Sequence, residues 1–116
     1  MVKTKLKHIL PSLREKKRYL AFEIISKDKT DFNTASGAIQ HGILQFMGQL
    51  GAAKAGIIVL SNKWNQETQR GIIKVNNKHV DSLKASLAMI EKENSIFRSL
   101  GVSGILKKAE QNYLTK

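Results

Sequence analysis

The run Leu100-Gly101-Val102-Ser103-Gly104-Ile105-Leu106-Lys107-Lys108-Ala109 carries the residue types of a phosphate contact. Glycine allows a sharp turn and close backbone approach, as Gly101 and Gly104 could provide here. A serine hydroxyl can accept a free amide where a helix starts, so Ser103 is the expected N-cap. The unpaired amides and positive end of a helix attract anions, and Lys107 and Lys108 add full charges. A second reading needs no ligand: the glycines shape a turn and the lysines are solvated.

The charge balance favours the first reading. The chain has 20 Lys and Arg against 9 Asp and Glu, a formal +11 on 116 residues. Such a surplus points to nucleic acid, an anionic membrane surface or an acidic partner. It is densest at the N-terminus, where Lys3, Lys5, Lys7, Arg14, Lys16, Lys17 and Arg18 face only Glu15. Basic arms of this kind bind nucleic acid, although such a tail can also be merely solubilising.

Other chemistry is poorly represented. There is no cysteine, which excludes disulfides, thiolate zinc sites and cysteine nucleophiles. His8, His41 and His79 are scattered without ligand spacing, and the carboxylates form no evident metal cluster. His41, among helical residues, reads as structural rather than catalytic. Asp28 and Asp31 fit a polar turn after the first strand. Gly101-Val102-Ser103-Gly104 is one residue short of a nucleophile elbow, and no Walker motif occurs. No apolar run reaches membrane-spanning length. The N-terminus lacks the apolar segment of a signal peptide, so a cytoplasmic location is expected.

These residues must be positioned by one domain. Hydrophobic residues at 41% fit a folded chain with its own core. Residues 1–17 read as a mobile basic extension containing Pro11, and 18–116 as a single α+β domain. Arg18 to Ser26 alternates as a strand, with Leu20, Phe22 and Ile24 on one face and Tyr19, Ala21, Glu23 and Ile25 on the other. Ala35, Ala38, Ile39, Gly42, Ile43, Phe46, Met47 and Leu50 recur at helical spacing. Asn33 is the expected cap and Gly51 the terminator, and Gly37, Gly42 and Gly48 invite a break. Gly56 to Lys63 and Gly71 to Asn76 are the next strands, joined by the polar loop Asn65 to Gln69. A helix over Lys78 to Lys92, capped by Asn77, buries Val80, Leu83, Leu87 and Ile90 with help from Ala88. A strand over Ile96 to Leu100 and a helix over Gly104 to Leu114 complete the chain, the helix packing through Ile105, Leu106, Ala109 and Tyr113.

This order predicts a ferredoxin-like, RRM-like βαββαβ antiparallel sheet with an added C-terminal helix. The second and third strands are apolar on nearly both faces, so something must cover the second face. The C-terminal helix could cover all of it. Otherwise a protein partner meets Ile57, Val59, Ile73 and Val75. RNA-binding modules of this topology stack bases on aromatics of the central strands, but Gly71 to Asn76 has none. RNA binding should therefore come from the basic arm and the Gly101–Lys108 turn. Trp64, beside the hairpin loop, is a core lid or an interface anchor.

Several segments together resemble one family, ribonuclease P protein component 2, the archaeal counterpart of eukaryotic Pop five. They are Lys17-Arg18-Tyr19-Leu20-Ala21-Phe22-Glu23-Ile24, Leu50-Gly51-Ala52-Ala53-Lys54-Ala55, Gly71-Ile72-Ile73-Lys74-Val75, the run Val80 to Ile90, and Leu100 to Ala109. They fall in the family's order over about residues 14 to 114. Two positions depart from its pattern: Ile105 stands where threonine is usual, and Asn77 where a basic residue often follows the third strand. The resemblance implies a non-catalytic protein subunit of an endoribonuclease that removes the 5′ leader of precursor tRNA. It implies that the RNA subunit is the catalyst and uses Mg2+, with no cofactor bound by this chain. It further implies pairing with ribonuclease P protein component 3 in a two-plus-two heterotetramer, contact with other ribonuclease P proteins, and only indirect contact with precursor tRNA. The residues expected to meet RNA are Arg14, Lys16, Lys17, Arg18, Arg98, Ser103, Gly104, Lys107 and Lys108. Two other classes compete: a stand-alone RNA-binding or ribosome-associated protein, and a small enzyme or ligand-binding domain of the same topology. The last needs a polar pocket constellation that the sequence does not display.

Overall fold

A computed structural model describes residues 16–90 and 94–114. Strand β1 (Lys17–Ser26) is followed by helix α1 (Phe32–Ala55), strand β2 (Ile58–Val59) and a 3-10 turn over Ser61–Lys63. Strand β3 (Arg70–Asn76) leads through a 3-10 turn at Asn77–His79 into helix α2 (Val80–Ala88). Strand β4 (Ser95–Ser103) precedes helix α3 (Leu106–Ala109), which widens into a π-helical turn over Glu110–Leu114. The strands form one antiparallel sheet in the order β2-β3-β1-β4. This is the expected α+β, ferredoxin-like arrangement.

Alternation along β1 builds the two faces. Leu20, Phe22 and Ile24 meet Ile73 and Val75 of β3 and Phe97 of β4 in a core closed by Ala35, Ile39 and Ile43 of α1 and Leu83 and Leu87 of α2. Trp64 stacks on Phe22, with ring centroids 5.9 Å apart, and also meets Phe32. It is thus a lid on the core, with its indole N–H donating to Gln66.

Several local expectations change. The side chain of Asp31, not Asn33, caps α1 by accepting from the amide of Thr34. The helix passes Gly51 and ends at Gly56, whose φ of 59° is the left-handed conformation glycine takes at helix ends. The break falls at Gly48, with φ 75° and ψ 172°. Near it, Phe46 and Leu50 stay exposed despite their helical spacing. The second strand shrinks to two residues because Ser61–Lys63 turns. Asn77 lies in the 3-10 turn and does not cap α2, which spans only Val80–Ala88, and Ala88 is exposed. Strand β4 runs through Ser103 because it pairs with β1 from Tyr19 to Ser26, slipping register between Ala21 and Phe22. Strand β1 itself begins at Lys17, one residue earlier than expected.

The proposed partner face needs correction. Ile73 and Val75 are fully buried in the helix-covered core, and Ile57 and Val59 are half-buried against it. Pairing of Val59 with Ile73 and of Ile58 with Lys74 puts Val59 inward and Ile58 outward. Ile58, Ile25 and Ile96 are the apolar strand residues left exposed. The C-terminal helix covers only part of the second face, burying Ala109, while Ile105 remains exposed instead of packing.

Candidate nucleic-acid interface

Antiparallel pairing brings the start of β1 to the end of β4. Tyr19 lies opposite Ser103 on one side and Lys74 on the other. Arg18 and Gly104 meet directly, since a Cβ added to Gly104 would lie 2.7 Å from Nη1 of Arg18. The carbonyl of Lys16 accepts from the amide of Asn77 at 2.7 Å, which ties the entry of β1 to the exit of β3. Lys17 Nζ donates to Oδ1 of Asn76. The same Asn76 donates through Nδ2 to the carbonyl of Lys54 at 2.7 Å. One end of the sheet therefore gathers Lys16, Lys17, Arg18, Ser103 and Gly104. Helix α3, which leaves that end, carries Lys107 and Lys108.

The helix start works differently from the expected turn. Ser103 is the last residue of β4, and the N-cap position is Ile105, without a side-chain cap. The Ser103 hydroxyl instead closes a local turn, accepting from the amide of Ile105 and donating to its carbonyl, each at 3.1 Å. Gly101 is a strand residue, not a turn residue. With only four α-helical residues, α3 has little macrodipole to offer an anion. Attraction at this end rests on the lysine and arginine charges. Lys16, Lys107 and Lys108 are exposed, while Lys17 and Arg18 are half-buried.

Arg98 does not join this group. Its register partner is Glu23, four residues further along β1 than Tyr19. Arg98 Nη2 lies 3.0 Å from Glu23 Oε1, and Arg70 Nε lies 3.0 Å from Glu23 Oε2. Arg70 also donates through Nη1 to the carbonyl of Tyr113 at 2.8 Å. Lys63 pairs with Glu110. Arg14 lies outside the described residues. Strand alternation places Tyr19 and Lys74 side by side on the outer face, next to the basic group at the end of the sheet.

The opposite end of the sheet is different. There a shallow polar hollow mixes Lys27 and Lys29 with Asp28 and Asp31, so its charges offset one another. His41 is exposed on α1, beside Gly42 and Phe46 in a surface groove. Among the described residues, no group of three or more His, Asp or Glu could hold a metal ion. No helix among them is long and apolar enough to cross a membrane.

The basic end sits within a chain whose relatives are well defined. The model of the Rpp14/Pop5 family matches residues 18–114. "Ribonuclease P protein component 2" of Thermococcus gammatolerans is 35% identical over 118 residues, covering 99% of this chain and 97% of that protein. Its namesake in Methanocaldococcus jannaschii is 36% identical over 115 residues, covering 94% of this chain and 81% of that one. Among solved structures, a chain of the cryo-EM structure of yeast Ribonuclease MRP has a similar fold. Its TM-score is 0.59 at 16% identity, covering 78% of this chain and 75% of that one. With a family model spanning most of its length and relatives above one-third identity across nearly all of it, the chain belongs to the Rpp14/Pop5 family.

Proposed function

We propose that this protein is an accessory subunit of ribonuclease P that supports the catalytic RNA in removing the 5′ leader of precursor tRNA. The observation that carries the reading is near-full-length similarity to ribonuclease P protein component 2, in a chain whose sheet gathers cations at one end. A folded RNA brings phosphates together, and their repulsion opposes folding. Exposed Lys16, Lys107 and Lys108, with Arg18 behind them, offset that repulsion and exchange for condensed counterions. Contact through these residues tracks phosphate position and RNA shape, because β3 offers no aromatic on which bases could stack. In this reading the RNA is the catalyst and holds the Mg2+ ions, and the protein lowers the magnesium that the RNA needs.

The protein acts with others. Ribonuclease P protein component 3 is the proposed partner, in a two-plus-two assembly, alongside other ribonuclease P proteins. Phe46, Leu50 and Met89 stand exposed on and beside the helices, at 44%, 70% and 62%, and offer apolar surface for a protein to cover. Cleavage of precursor tRNA by the ribonuclease P RNA at limiting magnesium, with component 3 and with or without this chain, tests the reading. Stimulation that requires this chain is the expected result. No stimulation, with the RNA shown active at high magnesium, would instead favour a separate RNA-binding role.

A further inference from the structure

Helix α3 cannot hold itself in place. It has four α-helical residues and one π-helical turn, no side-chain cap, and Ala109 as its buried apolar residue. Isolated helices of this length are unstable in water. Its position must come from its surroundings: Ala21 and Ile72 are buried on the sheet face beneath it, Lys63 pairs with Glu110 of its π-helical turn, and a polar network with fixed directions ties it to β1 and β3. Arg70 is the bridge. Its Nε donates to Glu23 Oε2 at 3.0 Å, and its Nη1 donates to the carbonyl of Tyr113, near the end of the helix, at 2.8 Å. Glu23 is in turn held from the other side by Arg98 Nε at 3.0 Å. The side chains of Glu23 and Arg70 are 16% and 22% exposed, so this network is largely shielded from water. Tyr113 lies against the bare backbone of Gly101, where any Cβ would collide with its ring.

We propose that Arg70, anchored by Glu23, is a positioning residue for RNA binding: it fixes the helix that presents Lys107 and Lys108 without touching RNA itself. The inference rests on the reading that these two lysines meet RNA. Arg70 suits the role because a guanidinium presents several donors in a rigid fork, which a lysine ammonium cannot reproduce. Glu23 belongs to the same device, although a carboxylate in a cationic protein would by charge alone only weaken RNA binding.

Arg70→Lys keeps the net charge, so a change in RNA affinity cannot be a loss of charge. The full-length chain, its Arg70→Lys variant, the Lys107→Ala/Lys108→Ala variant and the combined triple variant would be titrated with a ribonuclease P RNA transcript over a range of salt. Hydrogen exchange of the amides of residues 106–113 would be followed in the RNA-free chains. Losing two phosphate contacts weakens binding roughly tenfold and lowers the log–log salt slope by up to about two. The expected result is that Arg70→Lys approaches this loss, adds little on top of the lysine changes, and speeds exchange in 106–113 while β1 and β3 stay protected. Full affinity and slope in Arg70→Lys, with the lysine variant clearly weakened, would overturn the positioning role alone. An unweakened lysine variant would overturn the RNA contact, and with it the role built on that contact. Unchanged exchange in 106–113 would show that Arg70 does not hold the helix.

Discussion

The two faces of the sheet are held by different physics. The helix-covered face is sealed by apolar side chains from two helices, and its residues Leu20, Phe22, Ile73 and Val75 are fully buried. Burial of this kind is non-directional and scales with area. The second face carries Glu23, Arg70, Arg98, Lys74 and Tyr19 beside Ala21 and Ile72, and one short helix lies over part of it. Ala21, Ile72 and Ala109 are fully buried where that helix lies, a smaller apolar patch, and the polar contacts around it have fixed geometry and modest energy. The first face decides whether the chain folds, and the second decides where its cations stand.

The largest expected effect is on the apolar face. Phe22→Ala removes a fully buried ring that stacks on Trp64, and should cost about 3–5 kcal/mol in chemical denaturation. A loss below about 1 kcal/mol would mean that this face is not the stabilising one. On the other face, Gly101→Val forces a side chain into the Tyr113 ring and should cost about 1–3 kcal/mol, the range for overpacking. Its signature is exchange of the α3 amides rising ahead of those of β1. Uniform loss of protection across both would merge the two faces into one unit. Arg98→Ala removes an ion pair whose arginine side chain is 56% exposed, so water and salt screen it and about 0.2–1 kcal/mol is the upper range. A larger change would make the Glu23 network a main support of the fold. Lys107→Ala/Lys108→Ala should move stability by less than about 0.5 kcal/mol, since both are exposed surface residues. RNA binding should nevertheless fall and its log–log salt slope drop by up to about two, one per lost phosphate contact. A constant slope would take these lysines out of the RNA contact.

The fold was legible because its signal is periodic. Alternation in β1 predicted both faces correctly, and the helical spacing of Leu83 and Leu87 predicted the stripe that α2 buries. What stayed hidden depends on pairing between distant residues. Nothing local indicates that Ser103 continues a strand, because it does so by pairing with Tyr19 across the sheet. Ile73 and Val75 looked like candidates for an open face because β3 is apolar on both sides, and only the packing shows which side the helices take. Arg98 reads in sequence as one more cation near the basic turn, whereas the register places it on Glu23. The Arg70 bridge to Tyr113 spans 43 positions and leaves no local trace.

The central claim is that exposed cations at one end of the sheet offset phosphate repulsion in a catalytic RNA. The most direct test is the magnesium dependence of precursor-tRNA cleavage by ribonuclease P RNA with component 3 and this chain. The native chain would be compared with one in which Lys16, Lys107 and Lys108 are alanine. The account predicts that the variant needs more magnesium to reach half-maximal rate, while the rate at saturating magnesium is preserved. Superimposable magnesium curves would contradict it.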